Sequence, residues 1–300
     1  MNISILGAPG CVGVNLIRCL LEKKDLIITG SYRSENEIPE NIKDKRLLWK
    51  KVDLFSQEST ENFMKDTDIL IYLIHSLGAK DFEKLDIKLA NATGNAAKKM
   101  GVKKIIYLGG IVPENENASH HLTSRMKTGQ ALASYGIPVA EVRASILLET
   151  CSASFQIIYY LAKRLPIMIT PGWLNSYCAP IALKDAVSFI SSLIEKEIYG
   201  HEIFEIGSDI MRYKDLLSLC GKSIRGFRNI IITMPLFAIK LSALWIELIT
   251  GVKNTVAIAL AEGLRTNTIP SRNRFKEITG RDPSPVESVL NELAEKMKKF

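Results

Sequence analysis

Three glycines spaced three residues apart, close to the start of the chain, constrain its fold more than any other feature. They lie in the segment Gly7-Ala8-Pro9-Gly10-Cys11-Val12-Gly13. The preceding run, Asn2 to Leu6, is apolar and typical of a strand, and the following run, Val14 to Leu21, has the amphipathic pattern of a helix. A second strand-like run extends from Leu26 to Arg33. The start of the chain therefore predicts a strand, a tight turn, a helix and a second strand.

This order of elements is that of a dinucleotide-binding unit, in which each glycine has a physical role. Gly7 allows a sharp turn after the strand, Gly10 allows backbone N–H groups to approach a pyrophosphate, and Gly13 allows the helix to pack closely on the sheet. The free N–H groups at the helix start attract phosphate. An ordinary strand-to-helix turn is the alternative. The predicted cofactor-binding residues of this loop are Gly7, Pro9, Gly10, Cys11, Val12 and Gly13.

The residue at the end of the second strand, Arg33, bears on which dinucleotide binds. It lies 20 positions after Gly13, where an Asp or Glu would hydrogen-bond a ribose 2′-hydroxyl and favour NAD. An arginine is suited instead to a 2′-phosphate. We therefore expect NADP(H) as the preferred cofactor, with NAD(H) as the alternative. Arg33 could also be an ordinary solvated side chain.

Strand-like and helix-like runs alternate as far as about residue 225. Such alternation predicts an α/β fold with a Rossmann-type, doubly wound parallel sheet. Beyond Gly226 the alternation ends and the sequence favours helices. We predict an NAD(P)-binding Rossmann domain over residues 1–225 and a small, mostly helical C-terminal cap that forms the substrate region over residues 226–300.

Residues at the ends of later strands are expected beside the cofactor, because ligands bind at the carboxyl edge of a parallel sheet. Asp53 is expected to accept a hydrogen bond from the adenine, or alternatively to cap the helix that starts near Gln57. The full set is Asp53 and Leu54 after the third strand, Ile74 and His75 at the end of the fourth, and Gly109 at the end of the fifth.

Composition and charge argue against several other classes. The chain has 300 residues, of which 47% are hydrophobic and 24% charged, as in folded globular proteins. The net charge of +7 is spread without interleaved aromatics, so we expect no nucleic-acid partner. The five cysteines form no C-x-x-C pair and no H-E-x-x-H occurs, which predicts reduced thiols, no disulfide and no metal site. Without a signal-peptide pattern, a cytoplasmic location is expected.

The run Ile230 to Val252 is long and apolar enough to raise the question of membrane contact. Pro235, Lys240 and Glu247 interrupt it, and the two charges fall on one face of a helix. This pattern predicts an amphipathic helix packed on the domain. A transmembrane helix and a peripheral membrane contact are the alternatives.

Five segments together carry a resemblance to a known family. They are Gly7–Gly13, Tyr72–Gly78, Ile105–Gly110, Val142–Ser145 and Pro180–Ala186. In this order they resemble the atypical short-chain dehydrogenases/reductases, specifically the NAD(P)H-binding, NmrA-like branch related to nucleoside-diphosphate-sugar epimerases. The resemblance covers about residues 1 to 220, and resemblance to bacterial members extends to about Arg265. It implies a Rossmann fold and NAD(P)(H) as the cofactor.

The wider superfamily uses a Tyr-x-x-x-Lys pair, in which the Tyr is the acid/base and the Lys lowers its pKa. The resemblance places His121 at the Tyr position and Arg125 at the Lys position, while Gly109 and Gly110 replace the usual Ser. We therefore predict His121 and Arg125 as the catalytic residues of a non-standard site. The alternative is that both are polar residues on a half-exposed helix.

Arg143 ends the sixth predicted strand, at the same sheet edge. It is predicted to bind an anionic group of the substrate, or alternatively to pair with Glu141 or Glu149.

Two classes of function remain. The first is an NADP(H)-dependent oxidoreductase or isomerase of a small or hydrophobic substrate, and an apolar cap favours it. The second is a non-catalytic NAD(P)(H)-binding protein that senses redox state or supports the assembly of a protein partner, and the missing Tyr, Lys and Ser favour it. We predict a reductase-type protein with a non-standard site. The sequence does not indicate an oligomeric state.

Overall fold

The computed structural model of the chain describes residues 1–79, 81–113, 118–234 and 262–299. Its strands are β1 (Asn2–Leu6), β2 (Ile27–Tyr32), β3 (Leu47–Lys51), β4 (Ile69–Tyr72), β5 (Lys104–Gly110), β6 (Val139–Ala144), β7 (Leu147–Leu148), β8 (Ile167–Pro171), β9 (Tyr177–Cys178), β10 (Ile181–Ala182), β11 (His201–Ile206), β12 (Met211–Arg212) and β13 (Ile230–Met234). Its α-helices are α1 (Cys11–Leu21), α2 (Gln57–Met64), α3 (Phe82–Lys99), α4 (His120–Ala133), α5 (Ala153–Arg164), α6 (Leu183–Leu193), α7 (Tyr213–Arg225), α8 (Phe275–Thr279) and α9 (Val286–Lys298).

A seven-stranded parallel sheet lies at the centre, in the order β11-β6-β5-β4-β1-β2-β3. The chain starts at β1, builds outward to β3, and then crosses back to β4 on the other side of β1. The direction of winding therefore reverses between β1 and β4, which opens a crevice at the carboxyl ends of these strands. The predicted Rossmann-type, doubly wound sheet is confirmed.

Helices cover both faces of the sheet, and each layer has its own apolar core. On one face, Leu16 of α1 and Phe189 of α6 are fully buried in one hydrophobic cluster. On the other face, Phe63 of α2, Ala90 of α3 and Leu132 of α4 belong to a second cluster. Every residue of β4 is buried, because a central parallel strand is covered on both sides.

A third hydrophobic cluster contains residues from both sides of the predicted domain boundary at residue 225. It joins Phe155 of α5 and Leu216 of α7 to Val289 and Leu293 of α9. The C-terminal helix therefore packs on elements that precede residue 225, and the boundary stays a prediction.

The segment Ile230–Met234 is a strand, so the predicted helix starting at Ile230 is wrong there. Three consecutive isoleucines and a threonine favour a strand, because β-branched side chains fit a pleated surface. This strand pairs in parallel with β8. Residues 235–252 of the same prediction lie outside the described residues. None of the helices that the structure describes is long and apolar enough to cross a membrane.

Candidate functional site

The glycine loop has the conformation that a pyrophosphate cradle requires. Gly7 has a positive φ of 83°, which only glycine adopts readily, and its N–H donates to Ser31 Oγ at 3.0 Å. Gly10 is the N-cap of α1, and no side chain caps the helix there. The first N–H groups of α1 therefore have no intrahelical acceptor and are available to an anion.

The space around Gly10 is open, whereas the space around Gly13 is filled by protein. A Cβ at Gly13 would lie 2.4 Å from the carbonyl oxygen of Ala8, so α1 packs directly on the loop. A Cβ at Gly10 would contact only the carbonyl oxygen of Gly7, at 3.2 Å, and the rest of its surroundings is open. The predicted role of Gly10 at a pyrophosphate requires such open space, and the predicted role of Gly13 requires close packing of the helix.

A disulfide between Cys11 and Cys151 corrects the prediction that all cysteines are reduced. Cys11 is the first residue of α1, and Cys151, 140 residues later, lies two residues before the start of α5. Their Cα atoms are 5.6 Å apart, within the range that a disulfide spans. The fold brings two distant loops together, which no local cysteine spacing reveals. Cys19, Cys178 and Cys220 are free thiols.

Arg33 follows β2 and extends into solvent. Its side chain is 87% exposed, and Nη2 forms an ion pair with Glu37 Oε1 at 3.1 Å. The Arg33 backbone N–H also donates to Glu37 Oε2 at 3.0 Å, and these contacts lower the pKa of the Glu37 carboxyl. Arg33, which is predicted to bind a 2′-phosphate, is thus held beside Glu37, whose carboxylate would compete with that phosphate.

Asp53 lies after β3 and shapes the turn that leads into α2. Its Oδ1 accepts from the N–H of Phe55 at 2.9 Å. Ser56, rather than Asp53, caps α2, because its hydroxyl accepts from the N–H of Ser59. The role of Asp53 towards adenine stays a prediction. Leu54 and Ile74 are partly buried beside the second hydrophobic cluster.

Three side chains are joined by hydrogen bonds into one network. Asp86 belongs to α3, His75 follows β4, and His121 belongs to α4. Asp86 Oδ2 lies 2.9 Å from His75 Nδ1, and His75 Nε2 lies 3.2 Å from His121 Nδ1. The other oxygen, Asp86 Oδ1, accepts from the N–H of Ser76 at 2.8 Å, and Ser124 Oγ donates to Oδ2 at 3.3 Å. The predicted residues His75 and His121 thus meet in one site, with a buried carboxylate behind them.

Burial and neighbouring charges determine the protonation states of Asp86, His75 and His121. Burial opposes ionisation of Asp86, but hydrogen bonds from His75 and Ser76 outweigh it and hold the pKa of the carboxyl below its usual value. Burial and the charge of Arg125 lower the pKa of His75, against the opposing effect of Asp86. Burial, together with His75 and Arg125, lowers the pKa of His121 to about 3. Near neutral pH, Asp86 is therefore a carboxylate, and His75 and His121 are neutral imidazoles.

Arg125 is buried between the ends of β4 and β5 and does not lie on a half-exposed helix face. Its Nη1 donates to the carbonyl oxygen of Ile74 at 3.3 Å, and Nη2 donates to that of Leu108. The guanidinium lies 4.9 Å from the ring centroid of Tyr107. Arg125 links the two strands next to the predicted cofactor positions Ile74 and Gly109, and its charge adds to the effect of burial in lowering the pKa of His75 and of His121.

Arg143 pairs with Glu141, which was predicted as an alternative to a substrate anion. Its Nε donates to Glu141 Oε1 at 2.6 Å, and the other oxygen of this buried carboxylate lies 2.7 Å from His201 Nε2. Its predicted contact with a substrate anion stays a prediction.

Asp86 and Ser124 are the members of the site that the sequence reasoning missed. A signal was present, because Asp86 follows Phe82 by four residues and precedes Leu89 by three, on the apolar face of α3. A carboxylate at such a position is buried only when it has partners. No group of three or more residues that could hold a metal ion occurs in the described part of the chain.

Comparisons with known proteins agree with this geometry. Residues 7–150 match a family model described as NAD(P)H-binding. No curated protein sequence matches the chain. Among solved structures, a nucleoside-diphosphate-sugar epimerase from Staphylococcus aureus is similar at 19% identity with a TM-score of 0.79, covering 97% of this chain and 100% of that chain.

Two reductases are similar in the same way. A triphenylmethane reductase from Citrobacter sp. has 16% identity and a TM-score of 0.77, covering 98% of this chain and 100% of that chain. An NADPH-dependent quinone oxidoreductase from Escherichia coli has 15% identity and a TM-score of 0.76, covering 97% and 99%. Residues 7–150 therefore match an NAD(P)H-binding domain, and the chain has the fold of this nucleoside-diphosphate-sugar epimerase and these reductases, as its sequence predicts.

Proposed function

We propose that the chain is an NADP(H)-dependent oxidoreductase of a small or hydrophobic substrate, with His121 as the acid/base. The observation that carries this proposal is the hydrogen-bonded chain Asp86–His75–His121. His121 occupies the position at which the family resemblance places the catalytic Tyr. A buried acid, a linking imidazole and a terminal imidazole are the parts that a proton-transfer group needs.

The ionised Asp86 determines which ring nitrogens carry protons. Because the carboxylate can only accept, His75 Nδ1 carries a hydrogen and donates to Asp86. The other nitrogen of a neutral His75 is then an acceptor, so His121 Nδ1 carries a hydrogen and donates to His75 Nε2. The remaining nitrogen, His121 Nε2, keeps its lone pair and acts as the base.

This arrangement suits the interconversion of a hydroxyl and a carbonyl group. His121 Nε2 accepts the hydroxyl proton during oxidation and returns it to the oxygen during reduction. Burial and the charge of Arg125 oppose the positive charge formed on His121, which lowers its pKa to about 3, and the carboxylate of Asp86 offsets part of this cost. The nicotinamide, when bound, supplies or accepts the hydride.

The preference for NADP(H) rests on Arg33, whose exposed guanidinium is the positive group at the end of β2. The glycine loop would hold the pyrophosphate, and the loops after β3, β4 and β5 would flank the rest of the dinucleotide. Two similar structures, the Citrobacter reductase and the quinone oxidoreductase, are complexes with NADP(H) and NADPH, which supports the same choice.

A second candidate function is favoured by the glycines at the end of β5. Gly109 and Gly110 leave no hydroxyl where the superfamily has its Ser. A protein that binds NAD(P)(H) without turnover, and passes its redox state to a partner, would not need one.

A turnover screen separates the two functions. NADPH oxidation is measured with a panel of quinones, aldehydes and ketones, and NADP⁺ reduction with the matching alcohols. His121→Phe should lower turnover by about 10²–10⁴-fold with little change in NADPH affinity. His120→Phe is the matched control, because His120 is adjacent but its side chain is 83% exposed, so its turnover should equal the wild type. Full activity of His121→Phe would contradict the role of His121 as the acid/base. If wild type turns over no compound of the panel, the function as a redox sensor is favoured.

A further inference from the structure

The two-stranded sheet of β8 and β13 carries an exposed apolar face. The strands run parallel, with Ile167 opposite Ile230 and Ile169 opposite Ile232. These four side chains, here called the isoleucine face, are between 51% and 60% exposed. They form two cross-strand pairs on one side of the sheet.

The other side of this sheet packs on the third hydrophobic cluster. Met168 is buried in that cluster, and Ile231 packs against it. Alternate residues of each strand therefore point inward, as a half-buried sheet requires. The outward positions of such a sheet are normally polar, but these four outward positions are isoleucines. An apolar group of this kind indicates an interaction site.

An exposed aromatic side chain precedes β13 in sequence. Phe227, three residues before Ile230, is 55% exposed, and the Arg225 guanidinium lies 4.9 Å from its ring centroid. Arg225 also donates to Asn229 Oδ1 at 2.8 Å, which ties the end of α7 to the start of β13. An exposed aromatic ring and a guanidinium therefore lie together just before β13.

The charged residues that flank β8 and β13 in sequence are positive, although Glu287 of α9 lies close enough to Lys222 and Arg228 for these two cations to lower the pKa of its carboxyl. Lys163 lies near the end of α5, just before β8, and Arg228 is exposed just before β13. No Asp or Glu occurs between Glu149 and Asp185 or between Asp215 and Glu247. Both strands thus lie in stretches of sequence whose charged residues are all Lys or Arg.

We propose that the isoleucine face docks peripherally on a membrane that contains anionic lipid. The isoleucines and Phe227 enter the boundary between headgroups and acyl chains, and Lys163 and Arg228 contact the anionic headgroups. A lipid surface supplies an apolar layer and negative charge together, whereas an acidic protein surface supplies mainly the charge. In sequence, β13 also leads directly into the apolar run that extends to Val252.

Vesicle cosedimentation of the full chain tests this proposal. Wild type should bind vesicles of equal parts phosphatidylcholine and phosphatidylglycerol, and should not bind phosphatidylcholine alone. Replacing Ile169 and Ile232 together by Thr keeps the β-branched shape, so the strands should persist while binding weakens at least about tenfold. Arg228→Glu should weaken binding about tenfold, because it replaces an attraction to the headgroups by a repulsion.

Two variants elsewhere on the surface are matched controls. Ile210→Thr changes an isoleucine of 58% exposure at the other end of α7, and Lys24→Glu reverses an exposed charge after α1. Both should bind mixed vesicles like wild type, and all variants should keep wild-type circular dichroism and NADPH affinity.

Three results would overturn the proposal. In the first, wild type does not bind mixed vesicles. In the second, it binds both kinds of vesicle equally. In the third, the two-isoleucine variant and the Arg228 variant bind mixed vesicles as strongly as wild type. A wild-type dimer that the isoleucine variant converts to a monomer, without vesicle binding, would assign the face to a second copy of the chain. NADPH turnover enters none of these readouts, so the outcome is independent of the proposed function.

Discussion

His75 Nε2 and His121 Nδ1 lie 3.2 Å apart, although 46 residues separate the two histidines in sequence. His75 follows β4, and His121 is the second residue of α4, whose start is fixed by the Ser119 hydroxyl accepting from the N–H of Leu122. The carboxyl end of a strand and the first turn of a helix thus place two imidazoles at the crevice beside β1. His75 contacts the carboxylate of Asp86 directly, and His121 is linked to that carboxylate only through His75.

Asp86→Asn tests whether this contact serves catalysis. The neutral amide cannot balance the charge that forms on His121 when it takes a proton, so turnover should fall by about 10²–10⁴-fold. NADPH affinity should change little, because the Asp86 side chain is 1% exposed and contacts His75 instead of the glycine loop's N–H groups. Steady-state kinetics together with NADPH fluorescence titration separate the two quantities. Ser124→Ala, which removes only the longer 3.3 Å contact to Asp86, should be much milder. Equal loss in both variants would indicate a structural role for the network.

The lowered pKa of His121 predicts a pH-dependent stability. In the folded chain the pKa of His121 is about 3, whereas an unfolded histidine titrates near about 6.5. Between these values the unfolded state binds more protons, so this contribution to stability is present above about pH 6.5 and is lost as the pH falls towards 3. When the pH falls from about 7.5 to about 5, the free energy of unfolding should therefore decrease by about 1–2 kcal/mol less in His121→Phe than in wild type. Urea unfolding at the two pH values measures this difference. The same slope in wild type and His121→Phe would contradict a buried neutral His121, and His120→Phe should retain the wild-type slope.

The glycine loop and the sheet could be predicted from the sequence because both depend on local patterns. Gly7 adopts the positive φ, Gly13 packs against Ala8, and the β4 run is buried on both faces. Short-range spacing and apolar periodicity carry this information. The strand bounds differ from the predicted ones by only a few residues, because strand ends depend on pairing partners that a single run does not reveal.

The rest of the site depends on contacts between segments that are distant in sequence. The pairing of Cys11 with Cys151, and of β8 with β13, follows from how the chain returns to the sheet and has no local pattern. Asp86 is intermediate, because its place in an apolar stripe was visible but its partner His75 lies on another element. The position of Arg125, buried between two strand ends, required the structure.

Gly10→Val should abolish the phosphate cradle without unfolding the chain. Gly10 has φ −67° and ψ 165°, which any residue adopts, and its Cβ direction is open apart from one contact at 3.2 Å with the Gly7 oxygen. The new side chain would occupy the space of the pyrophosphate, so NADPH affinity should fall about tenfold or more. Gly13→Ala provides the contrast, because its Cβ would meet Ala8 and should lower the free energy of unfolding by about 1–3 kcal/mol. Wild-type NADPH affinity in a folded Gly10→Val protein would contradict the assignment of the loop.

The ion pair between Arg33 and Glu37 predicts how cofactor choice can be changed. Arg33→Asp should weaken NADPH binding about tenfold or more and leave NADH binding nearly unchanged, because a charge-assisted contact to the 2′-phosphate contributes about 1.5–3 kcal/mol. Glu37→Gln removes the competing acid that lies 3.1 Å from Arg33 Nη2, so it should strengthen NADPH binding by a few-fold. Fluorescence titration of both cofactors against the three proteins gives the comparison. A wild type that prefers NADH would show that Arg33 is only a solvated side chain.

The Cys11–Cys151 disulfide predicts both a thiol count and a stability difference. The denatured chain should titrate three thiols without reductant and five after reduction, since three of the five cysteines are free. Cys151→Ser should lower the free energy of unfolding by about 2–4 kcal/mol relative to the oxidised wild type, because the link joins residues 140 positions apart and restricts the unfolded chain. Urea unfolding with and without reductant measures this loss, and reductant should have little further effect on Cys151→Ser. Cys19→Ser is the control, because Cys19 lies in the same helix as Cys11 but is a free thiol, so the variant should keep its sensitivity to reductant. Five titratable thiols in the unreduced protein would show that the pair is not oxidised.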